Sequence, residues 1–244
     1  MGPTIAFFRP ADERAETAKS IIRNLGGEPL SDPMLAIEPT GNQPREDATY
    51  TILTSKTGVE LVTESDWEPG GTIVAIGEPT ASELERAGYP VGRIPEEYSS
   101  TGLVAELADE AAGSTIEVAR SDHGSPLLTE GLNGIGAYVH ETILYGLTIP
   151  DSAGISVERA AAGELDGVCF SSSLTVQHFM EIAATKDIRA AVLDGLETAV
   201  IGAIGEPTAQ TAREAGLTVD VQPPVATFEA LADSVINTIT KSTE

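Results

Sequence analysis

The sequence predicts an α/β fold of two similar domains, each built on a parallel sheet. One observation is an internal repeat, because AIGEPTA at residues 75–81 recurs letter for letter at residues 203–209. Another is the alternation of short apolar runs with helix-like stretches, which is typical of right-handed βαβ units. A third is the glycine after each repeat helix, Gly88 or Gly216, which is expected to form a left-handed cap. We therefore expect each copy to form a flavodoxin-like or Rossmann-like domain.

The individual elements follow from local patterns. Asp12 is the expected N-cap of the first helix, and Gly26 follows the end of that helix. TILTSKTGV at 51–59 resembles VCFSSSLTV at 168–176, so both copies carry a Ser/Thr-rich turn after a strand. The second copy has about eleven additional residues, which we expect to form a longer helix at 180–193. The other predicted elements are strands at 5–8, 72–76 and 199–204 and helices at 12–25, 80–87, 101–112, 208–215 and 228–240.

Two further segments predict how the domains are joined. Residues 28–39 and 136–149 alternate apolar and polar side chains, as extended strands do. We expect them to form a two-stranded β linker. One domain is then discontinuous and comprises residues 1–33 together with 150–244, and the second domain, residues 38–135, is inserted within it.

The charge balance excludes several classes of partner. The chain contains 38 Asp and Glu residues against 14 Lys and Arg residues, and its net charge is -24. A surface field of that sign repels phosphate backbones and anionic lipid headgroups, so we expect neither a nucleic-acid nor a membrane partner. The acidic surplus favours adaptation to molar salt, and simple solubility is the alternative interpretation.

Other features favour a cytoplasmic protein without a cofactor. No apolar run reaches the roughly 18 residues of a membrane span, and the first residues lack the order of a secretory signal. Cys169 is the single cysteine and is expected to pack in the core. His123, His140 and His178 are scattered without zinc spacing, and no glycine-rich nucleotide loop occurs. We expect His178 to have a structural role.

Turns at the carboxyl ends of the predicted strands are the candidate ligand sites. Each Gly-Glu-Pro-Thr turn directs free N–H groups and a hydroxyl towards the edge where open parallel sheets bind ligands. The alternative role of Thr80 and Thr208 is to cap their helices. The residues predicted to bind an anion in these turns are Thr54, Ser55, Lys56, Thr80, Ser171, Ser172, Gly205 and Thr208. The residues alone predict a two-domain protein that binds a small polyanion.

The order of these motifs resembles the uroporphyrinogen-III synthase family over nearly the whole chain. The matching segments are Arg9-Pro10, 33–39, 54–59, 118–124, 139–145, 170–173 and 205–216. Each motif is short, and the resemblance depends on their order and spacing. The chain departs from the family pattern at Ser173, where Pro or another small residue is frequent, and in the short helix after Val59.

The resemblance implies an enzyme, a hydro-lyase that cyclises the linear tetrapyrrole hydroxymethylbilane with inversion of ring D and loss of water. The product is uroporphyrinogen III, an intermediate of heme, siroheme and cobalamin biosynthesis, and the reaction needs neither a metal nor an organic cofactor. The acidic composition suggests a haloarchaeal-type member. The implied partners are the substrate and hydroxymethylbilane synthase, which could transfer it, and we expect a monomer.

The resemblance also implies roles for single residues. Tyr145 matches a linker tyrosine that the family places towards the cleft, and we expect it to protonate the leaving hydroxyl. Its alternative role is that of a cross-strand aromatic in the linker. Because the substrate has eight carboxylates, Arg9, Lys56 and Arg120 are the expected cations, and His123 is a further substrate-binding candidate.

Two other functions are open at this point. A non-catalytic protein of the same fold could bind a tetrapyrrole or another polyanion as a regulator, and analysis of the isomers formed from hydroxymethylbilane would separate it from an enzyme. A two-domain enzyme acting on phosphorylated sugars has less support, because no phosphate-loop lysine and no pair of catalytic carboxylates occurs.

Adaptation to salt gives a first prediction. Below about 0.5 M KCl the Debye length exceeds about 4 Å, so repulsion among the 38 acidic side chains is screened less and less as the salt is diluted. We expect the melting temperature to fall steeply as KCl is diluted from about 3 M to about 0.1 M. A flat profile over that range in a thermal-shift titration would contradict salt adaptation.

Overall fold

The computed structural model describes residues 2–243. The chain divides into two compact units, the first formed by Met1–Ala36 with Thr148–Glu244 and the second by Ile37–Leu147. The elements in chain order are β1 (Thr4–Phe7), α1 (Glu13–Asn24), β2 (Glu28–Ser31), β3 (Ala36–Pro39), β4 (Tyr50–Leu53), α2 (Lys56–Thr63), β5 (Thr72–Ala75), α3 (Glu78–Arg86), β6 (Val91–Arg93), α4 (Ser100–Leu107), β7 (Thr115–Ser121), α5 (Pro126–Gly134), β8 (Tyr138–Thr148), α6 (Ile155–Ala161), β9 (Gly167–Phe170), α7 (Ser173–Thr185), α8 (Arg189–Gly195), β10 (Val200–Ala203), α9 (Glu206–Glu214) and α10 (Phe228–Thr243).

The first unit contains a four-stranded sheet in the order β10-β9-β1-β2, and all of its strand pairs are parallel. The two central strands, β1 and β9, are buried on both faces because helices cover both sides of the sheet. On one face Phe8, Phe170 and Phe179 pack together. On the other face Phe7 contacts Phe228 of α10 edge to face. The strand β1 therefore anchors two cores in this unit.

The second unit contains a six-stranded sheet in the order β3-β8-β7-β4-β5-β6. The pairs β8–β7, β7–β4, β4–β5 and β5–β6 are parallel. One core lies between this sheet and the helices α4 and α5, and it contains Ile52, Val118 and Leu132. A second core lies under α2 and α3 on the opposite face. The prediction of α/β architecture with parallel sheets is confirmed.

The repeat predicts the details of both copies well, with one exception. The glycines Gly88 and Gly216 both have a φ of 91°, so the predicted left-handed caps are confirmed. The longer helix expected at 180–193 is wrong, because α7 ends at Thr185 and a separate helix, α8, follows. Asp187 between them adopts a φ of 56°, a left-handed conformation that ends a helix. The additional residues therefore form a helical corner.

The two segments predicted to form a two-stranded linker pair with each other only in part. Residues 28–39 form two strands, of which β3 is hydrogen-bonded to β8 of segment 136–149, whereas β2 pairs with β1 in the other sheet. Pro33, between them, has no N–H group to donate to a sheet. The segment 136–149 contributes β8, which pairs with β7 from Tyr138 to Tyr145 and so belongs to the six-stranded sheet.

Two expectations for single residues are confirmed. Cys169 is fully buried in a core of the first unit, and burial raises the pKa of its thiol to about 12. His178 is buried on α7, and its Nδ1 lies 2.6 Å from the carbonyl oxygen of Met34, so its role is structural. Within residues 2–243, no helix combines the length and apolarity needed to cross a membrane.

A buried carboxylate fixes the place where the chain leaves and re-enters the first unit. Asp32 follows β2 and is almost inaccessible to solvent. Its carboxylate accepts hydrogen bonds from the N–H of Gly154 at 3.1 Å, from the N–H of Ser156 at 2.8 Å and from the hydroxyl of Ser156 at 2.5 Å. Asp32 thus supplies the cap that α6 lacks in its own sequence, since its N-cap is Gly154.

We expect Asp32→Asn to destabilise the protein. The substitution turns an amide NH₂ towards backbone donors and removes the charge, at a cost of about 3 kcal/mol for hydrogen bonds to a charged buried group. The matched control is Asp12→Asn, because Asp12 caps α1 at the exposed surface and Asn caps about as well. Chemical denaturation should separate the two variants, and equal stabilities would contradict the assignment.

Candidate functional site

The carboxyl ends of the strands collect most of the predicted site residues, separately in each unit. In the first unit Arg9 follows β1, Ser171 and Ser172 follow β9, and Gly205 follows β10. In the second unit Thr54 and Ser55 follow β4, and His123 follows β7. Because all of these strands are parallel within their sheet, the residues of each group lie at one edge of that sheet.

A pair of hydroxyl groups is the most constrained part of the second unit's edge. Ser55 is the N-cap of α2, and its Oγ accepts the N–H of Gly58 at 3.0 Å. The hydroxyl of Tyr145 donates to the same Oγ at 3.0 Å. Tyr145 is only 6% exposed. Because Ser55 Oγ accepts two bonds, its own proton is available to a third group in front of the helix.

A β-bulge directs Tyr145 towards Ser55. Arg120 of β7 pairs with Ile143 of β8, but the next residue, Ser121, pairs with Tyr145, so the register skips Leu144. Such a bulge turns the side chain that follows it. As a result Leu144 and Tyr145 both belong to the core under α2 and α3, although successive strand residues normally point to opposite faces.

The first turns of the helices differ in their suitability for an anion. The helices α2 and α7 have no acidic residue in the first turn, and their N-caps Ser55 and Ser172 accept only one backbone N–H each. The helices α3 and α9 begin with Glu78 and Glu206. Since a carboxylate in the first turn competes with an anion for the positive end of the helix dipole, α2 and α7 are the stronger candidates for an anion site, and α3 and α9 are weaker ones. Lys56, at the first position of α2, is exposed and adds positive charge there.

The capping role considered for Thr80 and Thr208 is wrong. The N-caps of α3 and α9 are Gly77 and Gly205, both in extended conformation, and neither helix has a side-chain cap. The two threonines lie at the third helical position, where both are buried. Their side chains therefore pack at the base of the turn and do not cap the helix.

The two Gly-Glu-Pro-Thr turns differ in whether a neighbouring side chain packs over them. A Cβ added to Gly77 would lie 2.9 Å from Cγ of Tyr98, whose ring covers that turn. A Cβ added to Gly205 would meet no heavy atom within 4 Å. The identical sequences therefore form one closed turn in the second unit and one open turn in the first.

Arg120 and His123 are engaged with their own unit. Arg120 is 5% exposed, and its guanidinium contacts the carboxylate of Glu141 and the carbonyl oxygen of Ser125. His123 Nδ1 lies 2.7 Å from Oδ1 of Asp122. Burial opposes ionisation of Asp122, but hydrogen bonds from His123 and from the N–H of Leu147 outweigh it, so the pKa of Asp122 is lowered. Arg120 thus ties β7 to β8 and is not displayed at the edge of the sheet.

Arg9 is the cation of the first unit's edge. Its guanidinium carbon lies 4.7 Å from the ring centroid of Phe228. Its Nε is buried without a hydrogen-bond partner. Burial lowers the pKa of Arg9 and Arg14 adds to this effect, whereas Asp12 opposes both. An anion brought to this edge would relieve that unfavourable burial.

Sequence reasoning missed the contact between Ser55 and Tyr145 and the ring beneath Arg9. The first depends on a bulge, and the second joins residues that are more than 200 positions apart. The sequence held a weak signal for the ring beneath Arg9. At the offset of 128 residues that relates the two repeats, Phe228 in the second copy corresponds to Ser100 in the first.

Comparisons with known proteins agree with the fold and the arrangement of motifs. A family profile described as Uroporphyrinogen-III synthase HemD matches residues 16–233. A protein of Methanothermobacter thermautotrophicus that is provisionally named uroporphyrinogen-III synthase is 27% identical over 231 residues, 88% of this chain and 90% of the relative. The uroporphyrinogen-III synthase of Chlorobaculum parvum is 26% identical over 153 residues, 61% of this chain and 59% of the relative.

Solved structures share the fold. A mutant uroporphyrinogen III synthase of Thermus thermophilus superposes with a TM-score of 0.67 at 21% identity, covering 98% of this chain and all of the other. The enzyme of Helicobacter pylori superposes with a TM-score of 0.62 at 15% identity over the full length of both chains. Since the family profile spans most of the sequence, this chain belongs to the uroporphyrinogen-III synthase family.

Proposed function

We propose that this protein is a uroporphyrinogen-III synthase, which cyclises hydroxymethylbilane with inversion of ring D and loss of water. The observation that carries the proposal is the hydroxyl pair of Tyr145 and Ser55 at the carboxyl end of β4, in front of a helix whose first turn has no acidic residue. It offers a proton donor beside an anion-binding helix end, which is what a polycarboxylate with a leaving hydroxyl requires.

Neutral hydrogen-bond donors, chiefly backbone N–H groups, bind most of the substrate carboxylates. In a chain of net charge -24, free N–H groups at helix ends attract carboxylates without needing many basic residues. In the second unit these donors lie at α2, beside Thr54 and Lys56. In the first unit they lie at the first turn of α7, which follows Ser171 and Ser172, and at the open turn of Gly205. Arg9 adds a full positive charge to the donors of the first unit.

The chemistry requires orientation first and a proton second. The substrate must be folded so that ring D is attacked through its substituted carbon, and a held conformation supplies the selectivity. The leaving hydroxyl needs a proton as the carbon–oxygen bond breaks. Tyr145 donates to Ser55, and Ser55 in turn has a free proton to donate, so the two form a short chain that can protonate the hydroxyl as it leaves.

The setting of the enzyme is also part of the proposal. We place it in the cytoplasm of a salt-adapted cell, as a monomer that needs no cofactor. It would receive hydroxymethylbilane from hydroxymethylbilane synthase. High salt would screen the repulsion between the acidic surface and the polyanionic substrate.

The direct test is incubation of the wild-type protein with freshly prepared hydroxymethylbilane and separation of the products. Spontaneous closure yields the uninverted type I isomer, so an excess of type III that grows with protein concentration supports the proposal. Formation of type I alone, at the spontaneous rate, would show that the fold only binds its ligand or acts on another compound.

Substitution of Tyr145 tests the proton donor. A single donor contributes about 10² to 10⁴ in rate, so Tyr145→Phe should slow turnover and increase the share of type I product. Stability should fall by only about 1 kcal/mol, the value of one hydrogen bond. The matched control is Tyr138→Phe on the same strand, because Tyr138 is 70% exposed. A Tyr145→Phe enzyme with wild-type turnover and pure type III product would exclude the phenol as the acid.

The open turn at Gly205 allows a test in which stability and binding change in opposite directions. Ser is a better N-cap than Gly by a few tenths of a kcal/mol, and the added side chain meets no neighbour. Gly205→Ser should therefore keep or raise the melting temperature, but it should increase KM about fivefold because it fills the space in front of α9. The same change at Gly77 should lower stability, because the ring of Tyr98 stands in the way. An unchanged KM in Gly205→Ser would remove this turn from the binding site.

A further inference from the structure

Arg9 differs from most of the arginines of this acidic chain. Arg45 and Arg93, for example, are paired with Asp47 and Glu110. Among the contacts of residues 2–243, Arg9 has neither an ion pair nor a side-chain hydrogen bond, and the nearby carboxylate of Asp12 is bound by Arg14. In a protein with 38 acidic residues, this half-buried guanidinium forms no ion pair with any of them among the described contacts.

The neighbour that Arg9 does have is an aromatic ring. The guanidinium carbon lies 4.7 Å from the centroid of Phe228, within the range of a cation–π contact. That ring cannot turn freely, because Phe228 is buried and meets Phe7 of β1 edge to face at 5.7 Å. The ring therefore forms a fixed floor beneath the residue that follows the end of β1.

A ring and a carboxylate have opposite consequences for the function of an arginine. A carboxylate would hold the guanidinium but would also neutralise it and occupy its N–H groups. An aromatic face fixes the guanidinium and leaves its charge and its edge unused, and that edge matches a carboxylate in bidentate geometry. The buried Nε without a partner adds a reason for Arg9 to accept an anion from outside.

We propose that Phe228 is a positioning residue that holds Arg9 at the carboxyl end of β1 as a receptor for one substrate carboxylate. This inference rests on the proposed function and deepens it, because it assigns a specific carboxylate contact to the first unit. Phe228 itself does not touch the substrate. Phe228 fixes the orientation of Arg9. This orientation affects binding of the substrate and leaves the proton transfer unaffected.

The variant that tests the inference is Phe228→Leu, which keeps an apolar side chain and removes the ring. We expect KM for hydroxymethylbilane to rise about fivefold, the scale of one partly buried cation–π contact, with kcat nearly unchanged. Phe228→Tyr retains an aromatic face and should restore the wild-type KM. The control is Val192→Ala on α8, which removes apolar contacts from the other core of the same unit and should lower the melting temperature without changing KM. If Phe228→Leu does not fold, Phe228→Met replaces it.

A double-mutant cycle distinguishes positioning from general damage to the core. In an Arg9→Gln background, Phe228→Leu should cause no further rise in KM, because the residue through which it acts is gone. Equal effects of Phe228→Leu with and without Arg9, or an unchanged KM in the single variant, would overturn the inference while wild-type protein still makes type III product. If wild-type protein makes only type I, the proposed function fails and this inference fails with it.

Discussion

The parallel register of each sheet is the constraint on which the candidate site depends. In the second unit β4 pairs with β7 through Leu53 and Ala119, and β7 pairs with β8 through Ser121 and Tyr145. These two registers, with the bulge between them, bring Tyr145 to Ser55 from 90 residues away. A slip of one residue would turn Tyr145 towards the opposite face of the sheet, so the core under α2 and the hydroxyl pair are specified together.

Electrostatics explains which kinds of group lie at the proposed anion sites. An acidic protein gains solubility in salt from its surface charge, but the same charge repels an acidic ligand. The edges of the two sheets avoid this conflict locally. The helices α2 and α7 begin without acidic residues, Lys56 lies at one edge, and Arg9 lies at the other with an aromatic ring in place of a counterion. The remaining attraction comes from peptide N–H groups, which carry no net charge.

The sequence predicts the parts of this structure that depend on local patterns and on the repeat. The strands, the helix after Asp12 and the left-handed caps at Gly88 and Gly216 are determined by neighbouring residues, and the structure has them. The separation of α7 from α8 was not predictable in the same way, since Asp187 adopts a left-handed conformation that glycine adopts routinely and aspartate only occasionally.

The same division holds for the site. Motif order placed Ser55, Ser172 and Gly205 at the ends of strands, because each follows an apolar run directly. The burial of Arg120 against Glu141 depends on the pairing of β7 with β8. The motif around Arg120 does not show whether the arginine pairs with a residue of its own unit or faces a ligand. The difference between the covered turn at Gly77 and the open turn at Gly205 depends on Tyr98, which the repeat does not reproduce.

The proposed function requires each unit to bind carboxylates at the carboxyl end of its own sheet. This binding can be tested by mapping backbone amide shifts by NMR during titration with the stable octacarboxylate uroporphyrin III in high salt. The expected result is a set of shifts at the first turns of α2, α7 and α9 and after β1, with little change at the amino ends of the strands. Shifts concentrated at the amino ends, or confined to residues outside these turns, would contradict the claim.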